Sequence, residues 1–160
     1  MQDLLPLAER LGARLKARGD TIAVAESSTG GLISAALLSV AGASAYFRGG
    51  SVIYTHYARG GFLDIGNPLP DGMRASSEPY AALLAKTVRE RLGATWGLSE
   101  TGATGPTGNR YGDAAGHTCI GLVGPNGTRT ITLETGRADR LANMRAFAKK
   151  AMEVLGEAMG

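Results

Sequence analysis

A single cysteine, Cys119, is present in 160 residues, so no disulfide can staple the chain internally. The run around it, Thr118 to Val123, reads as a buried strand, where a free thiol behaves as a small core residue. Long apolar stretches are also missing. Met1 to Leu15 is amphipathic and carries acidic residues, which excludes a secretion signal or a membrane span and makes the cytoplasm the expected compartment. Blocks of like charge are missing too. The formal net charge of +3 is dispersed, with no five basic residues in a row, so neither a nucleic-acid surface nor a membrane surface is indicated. Finally, the chain has no GxxxxGK[ST] phosphate loop, no HExxH, no paired CxxC and no GxSxG elbow; neither a metal nor a cofactor is expected.

What is present is ordinary globular composition, 44% hydrophobic and 19% charged, in a length that suits one domain over residues 1–160. Leu4, Leu7, Leu11 and Leu15 recur at helical spacing from Asp3 to Arg18, Gly19-Asp20 stops that helix, and Thr21 to Ala25 reads as a strand. A glycine-rich turn, Glu26 to Gly31, leads into an apolar helix over Leu32 to Val40. Ser51 to Thr55 reads as a strand, His56 to Leu63 leads into a proline loop, and Ser77 caps a helix running to about Leu92. Thr95 to Ser99 is a short strand followed by a glycine-rich loop, Thr101 to Gly116, of the kind that is usually functional or mobile. His117 to Val123 and Thr128 to Thr135 flank an Asn-Gly turn and pair as a hairpin. Asp139 caps a last helix with Leu141, Met144, Ala148, Ala151 and Leu155 on its apolar face. Helices alternating with strands, then a hairpin and a helix, predict an α/β fold with helices on both faces of the sheet and at least one antiparallel strand.

Three segments could carry chemistry. Glu26-Ser27-Ser28-Thr29-Gly30-Gly31 is a strand-to-helix turn whose backbone N–H groups serve equally as a structural cap or an anion site. Thr101-Gly102-Ala103-Thr104-Gly105-Pro106 follows another strand, where glycines admit a ligand close to the backbone, or simply turn the chain. Gly42-Ala43-Ser44-Ala45 precedes a strand that ends near Tyr54, with His56 and Arg59 beyond. Taken alone, Ser44 reads first as a helix cap.

Together, these segments resemble the C-terminal domain of the CinA family, also called the PncC family, whose patterns run approximately AESCTGG, GSSxxFxxGxxxYSNxxKxxxLGV and TGxAGPxG. Ser77 also falls in that family's VSEE-like segment. The resemblance implies a three-layer α/β/α fold with a mixed, mostly parallel sheet, and hydrolysis of the carboxamide of nicotinamide mononucleotide to ammonia and nicotinic acid mononucleotide. It further implies that the N-terminal pyrophosphatase domain of some members is not part of this chain. Carried over by position, Ser44 takes the place of the nucleophile, Tyr54 that of the family tyrosine, and Arg59 that of the family lysine. Glu26, Ser27, Ser28, Thr29, Gly30, Gly31, Thr101, Gly102 and Gly105 are the expected substrate-binding set, and the expected partner is a small-molecule nucleotide. Self-association is suggested by the resemblance alone.

The departures bear on chemistry. Serine amidolysis needs a group that takes the hydroxyl proton and returns it to the leaving amine. Arginine is always charged and cannot be that base. The four lysines, Lys16, Lys86, Lys149 and Lys150, fall on solvent-facing helix positions. His56 would share the face of Tyr54 if the strand continued that far, and reads either as a substitute base or as an ordinary surface histidine. Ser28 replaces the family cysteine, Thr104 an alanine, and in the family's GDRxxVR pattern only Gly136 and Asp139 match. Two readings stand: a deamidase using Ser44 with Tyr54 or His56, and a catalytically silent relative that keeps the nucleotide-shaped pocket.

Overall fold

The central strand β1 (Ile22–Glu26) is buried along its whole length and alternates between two cores. Ile22 and Val24 enter one core; Ala23 and Ala25 enter the other. Such two-faced burial is what a strand covered by helices on both sides requires. In the computed structural model, which describes residues 1–160 except the side chain of Asp71, β1 follows helix α1 (Leu5–Arg18) and precedes helix α2 (Leu32–Leu38) and strand β2 (Phe47–Val52). Helices α3 (His56–Leu63) and α4 (Glu78–Leu92), strands β3 (Trp96–Ala103), β4 (His117–Gly124) and β5 (Gly127–Glu134), and helix α5 (Arg140–Met159) complete the chain.

The sheet order is β2-β1-β3-β4-β5. β1 is parallel to β2 and β3, and the β3–β4 and β4–β5 pairs are antiparallel. Four strands therefore run one way and β4 alone opposes them, so the sheet is mixed. Leu11 and Leu15 of α1, Ile33 and Leu37 of α2, and Ala148, Ala151 and Leu155 of α5 are buried on one side, α1, α2 and α5 forming that layer. Leu63 of α3 and Tyr80, Leu84 and Val88 of α4 pack on the other. The result is three layers, α/β/α. A Cβ on Gly97 of β3 would meet the Ala85 carbonyl oxygen at 2.0 Å, which shows how closely α4 lies on the sheet.

Four local expectations are corrected. β2 begins at Phe47, not Ser51, because parallel pairing with β1, Ile22↔Phe47 through Glu26↔Val52, recruits the Gly49-Gly50 segment that has no strand propensity of its own. It ends at Val52, so Tyr54 and His56 lie beyond the strand and share no strand face. His56 to Leu63 is helical, capped by the Thr55 hydroxyl, which accepts the Ala58 N–H at 3.2 Å. β3 runs on to Ala103 because β4 pairs with it that far, Ala103↔His117. At the start of α5, Leu141 is 67% exposed while Asn143 is buried. The Asn143 amide donates to the Thr104 and Arg137 carbonyls at 2.8 Å each and its oxygen accepts the Thr135 hydroxyl at 2.6 Å, so the first turn of α5 is held by polar contacts and not by the apolar stripe.

Candidate active site

The chain runs from β1 to β2 on one side and later returns to β3 on the other. A crevice is expected where such a sheet changes direction, outside the C-terminal ends of β1 and β3. Both glycine-rich turns leave the sheet there.

The turn after β1 is held from inside by two fully buried carboxylates. Glu26 accepts the N–H groups of Gly31, Ile33 and Ser34 at 3.1, 3.0 and 2.7 Å and the hydroxyls of Thr29 and Ser34 at 2.8 and 2.7 Å. A negative side chain at the start of α2 complements that helix terminus. Glu100, from β3, accepts the N–H groups of Ser27 and Thr29 at 3.2 and 2.9 Å, the Thr118 hydroxyl at 3.0 Å and the Ser28 hydroxyl, and lies 2.9 Å from the Thr29 hydroxyl, whose single proton it shares with Glu26. Burial pushes the Glu100 carboxyl above its ordinary range, against the hydrogen bonds that Ser28, Thr29 and Thr118 supply. The Ser27, Thr29 and Gly31 N–H groups thus go to the protein's own carboxylates, Gly30 N–H to Ser27 O and Leu32 N–H to Thr29 O, while Ser28 N–H has no acceptor among the described residues and Ser28 lines the second cavity. Most of the turn therefore acts as a structural cap, and Ser28 N–H is the donor it leaves for an anion. Glu26 and Thr29 are buried scaffolding, and Gly30 and Gly31 shape the turn. Ser27 is the half-exposed residue that the scaffold presents to the crevice.

Two adjoining cavities occupy the crevice. One, of about 530 Å³, is lined by Ser27, Tyr54, His56, Arg59, Asn67, Ser76, Tyr80, Thr101, Gly102, Asn109, Arg110 and Tyr111, among others. The other, of about 250 Å³, is lined by Ser28, Tyr54, Gly102, Ala103, Thr104, Gly105, Thr107, Gly108, Asn109 and Arg140. They share Tyr54, Gly102 and Asn109 and fall in the size range of small-molecule sites. Neither is lined by an Asp or Glu among the described residues. A larger concavity of about 740 Å³ between α1 and α5 is lined by aliphatic residues, two arginines and two glutamates, with no nucleophile, and carries no comparable chemistry.

Arg59 enters the first cavity from α3 and is 6% exposed. Its Nε donates to Ile65 O at 3.4 Å, and Nη2 donates to Gly66 O at 3.0 Å and Asn67 Oδ1 at 3.4 Å. The guanidinium lies 5.8 Å from the Tyr80 ring centroid. Arg140 closes the second cavity, donating to Gly105 O at 2.7 Å and lying 3.5 Å from the Tyr54 hydroxyl. Gly105 has φ +108°, and a Cβ there would meet the Ala138 carbonyl at 2.6 Å, so only glycine fits where the loop passes the segment leading into α5. Thr101 is buried and its hydroxyl accepts the Ser76 N–H at 3.2 Å, so of the Thr101, Gly102 and Gly105 set the threonine is a brace.

The segment from Pro106 to Gly116 covers the crevice and is fixed by polar contacts. Asp113 accepts a two-pronged bond from Arg74 at 2.6 and 3.1 Å and one from Asn109 at 2.8 Å. Burial acts to raise the Asp113 carboxyl, but Arg74 and Asn109 hold it below the usual carboxylate range. His117 contacts Glu134 through Nδ1 and Ser76 O through Nε2 at 2.9 Å. Burial disfavours its charge, yet these acceptors and the Asp113 charge hold the imidazole above its ordinary range. Cys119 is buried beside them, and burial pushes its thiol up.

Residues 4–159 match the family model described as the CinA C-terminal domain. The chain belongs to that family. It is 38% identical over 149 residues to a CinA-like protein of Anaeromyxobacter dehalogenans, covering 93% of the chain and 36% of that protein. A CinA-like protein of Nostoc is 40% identical over 159 residues, covering 93% of the chain and 38% of the relative. The chain thus spans little more than a third of these relatives. Among solved structures, the competence/damage inducible protein CihA of Agrobacterium tumefaciens superimposes with TM-score 0.89 at 30% identity, over 98% of this chain and 95% of that one. A CinA superfamily protein of Klebsiella pneumoniae gives TM-score 0.90 at 26% identity, over 98% and 97%.

Against the CinA motifs, the first segment supplies Ser27 and Ser28 to the crevice, the third supplies Gly102 and Gly105, and the second supplies Tyr54, His56 and Arg59. Ser44 is not brought to them. It sits in the short helical turn Ala43–Ala45 before β2, whereas Tyr54 lies after β2, so the strand separates the two across the height of the sheet. Ser44 is exposed and lines neither cavity. The motif spacing gives no sign of this separation, because linear order does not say which end of a strand a loop occupies. The four lysines line neither cavity either. Glu100, Asn143, Arg74 and Asp113 were missed. A lone acid in the uncharged run Trp96 to Ala103 was the one available signal for Glu100; nothing in the sequence marked the others.

Proposed function

We propose that this CinA-family chain is an amidohydrolase of the nicotinamide mononucleotide deamidase type, with Ser27 as the attacking hydroxyl in place of Ser44. The observation that carries this reading is that Ser27, held by Glu100 through its backbone N–H, lines the same cavity as His56 and Tyr54. In this reading the Ser27 oxygen adds to the carboxamide carbon while His56 takes its proton; histidine is the side chain suited to that exchange near neutrality. The tetrahedral intermediate expels ammonia, which leaves with the proton from His56. Water then adds to the acyl-enzyme and releases the acid and the serine. Arg140 and the Thr104-Gly105 loop are suited to the phosphate, and Tyr54 bridges the two cavities. The substrate, like the activity, comes from the resemblance and from the cavity's size and charge.

The test follows ammonia and nicotinic acid mononucleotide from nicotinamide mononucleotide and purified protein. Turnover is expected in the wild type and in Ser44→Ala, and is expected to be lost in Ser27→Ala and reduced by about 10²-fold or more in His56→Asn, the scale of one general base. Turnover surviving in Ser27→Ala would reject the assignment. A second reading, a nucleotide-binding domain without turnover, is favoured by one feature: Arg59 replaces the family lysine and no other lysine reaches the cleft. Binding without ammonia release, gained on Arg59→Lys, would establish it.

A further inference from the structure

Arg59 is a buried cation with no counter-charge. All three of its hydrogen-bond acceptors, Ile65 O, Gly66 O and Asn67 Oδ1, are neutral and come from one segment. No carboxylate lies within 4.0 Å of it among the described residues. Nη1 reaches none of these acceptors and the neutral Tyr80 is the remaining polar neighbour, while the side chain lines the cavity. A buried guanidinium left without an acid is costly to fold unless something else supplies the negative charge. Arg110 adds a second cation to the same cavity. At the other end, Arg140 is bonded only to the Gly105 carbonyl and the Tyr54 hydroxyl, and Thr104 Oγ1 is buried without a partner. The crevice is thus cationic at both ends.

We infer that Arg59 turns its end of the crevice into a carboxylate site, so that the acid form of a pyridine mononucleotide binds more tightly than the amide form. The Nη1 N–H groups meet the carboxylate, a pairing shorter and stronger than one to a neutral amide oxygen. This inference rests on the nucleotide reading above and adds to it a ligand preference: the chain retains the acid. In the hydrolytic reading the product is then the tighter ligand and restrains turnover; in the binding reading the acid is the ligand that is sensed.

Calorimetric titration of the whole chain with nicotinic acid mononucleotide and, separately, with nicotinamide mononucleotide tests this, because the two differ only at the carboxyl group; both titrations are repeated on Ser27→Ala, in which the amide is not converted to the acid. The acid is expected to bind about tenfold tighter or more, the ratio that one charge-assisted hydrogen bond gives. In Arg59→Met that ratio is expected to fall to about one, and in Arg59→Lys to survive in part. The wild-type comparison stands even where Arg59→Met does not fold. Equal affinities, or a tighter amide, overturn the inference and leave the hydrolytic reading intact if ammonia is released. An acid preference without ammonia release upholds the inference and removes the hydrolytic reading. An acid preference unchanged in folded Arg59→Met assigns it to the general field of Arg110 and Arg140 and overturns the role of Arg59. Binding of neither nucleotide overturns both.

Discussion

Glu100 is the side chain whose replacement tests the site's construction most directly. Replacing it with valine removes the acceptor for Ser27 N–H, Thr29 N–H and the Ser28 hydroxyl, none of which has another acceptor, while Thr29 and Thr118 keep Glu26 and Thr101 O. Three orphaned donors at about 1–3 kcal/mol each give a loss of about 3–9 kcal/mol, comparable to the whole stability of an ordinary domain. Glutamine is a different perturbation. Its oxygen can accept both N–H groups, and its NH2 can donate to the Ser28 and Thr118 hydroxyls, reproducing a protonated Glu100. Because burial raises Glu100 above its ordinary 4.5, the folded state holds the proton more tightly than the unfolded chain. The stability from that difference is fully present below 4.5 and is lost as pH rises toward the folded value, with a slope of at most about 1.4 kcal/mol per pH unit. Glu100→Gln lacks this dependence. Urea unfolding followed by circular dichroism from pH 5 to 9 should therefore show the glutamine variant gaining on the wild type as pH rises. Parallel stability curves, or a glutamine variant as unstable as Glu100→Val at pH 5, would refute the upward shift of the Glu100 carboxyl.

Three further outcomes follow from the same structure. Ser44→Ala should change stability by less than about 0.5 kcal/mol in thermal unfolding, since the exposed side chain makes no hydrogen bond, and a larger loss would show a contact absent here. His117 is raised above its ordinary 6.5 by Glu134 from β5, the Ser76 carbonyl before α4 and Asp113 of the covering segment, with the Cys119 thiol beside it. Its stabilising contribution is complete below 6.5 and is lost as pH rises through the folded value. Hydrogen exchange of residues 106–116, corrected for intrinsic rate, should quicken above neutrality, and Glu134→Gln should move that change to lower pH; exchange independent of pH would reject the coupling. Gly97→Val should destabilise by about 3 kcal/mol or more, or prevent folding, because its side chain would displace α4 from the sheet; a soluble variant of unchanged Tm would contradict the packing.

Much of the architecture was legible in sequence because local physics and tertiary packing agree there. The leucine period fixed α1, Ser77 and Asp139 cap α4 and α5 as their residue types suggest, and the Asn-Gly pair marked the β4–β5 hairpin. The glycine turns were found because each combines glycines with hydroxyl residues after a strand. The serine that lines the crevice was harder. Ser27 and Ser44 are chemically alike, and only the direction of β2 beside β1 shows that one faces the cleft while the other sits at the far end of the sheet. Likewise, the sequence could mark the turn after β1 as rich in free N–H groups, but the carboxylates that occupy them are a neighbour in the chain, Glu26, and a residue 73 positions beyond Ser27, Glu100. Burial then decides the chemistry. Whether a carboxyl keeps its proton, or an arginine stands without a counter-ion, depends on what the fold packs around it, and no spacing of residues along the chain contains that information.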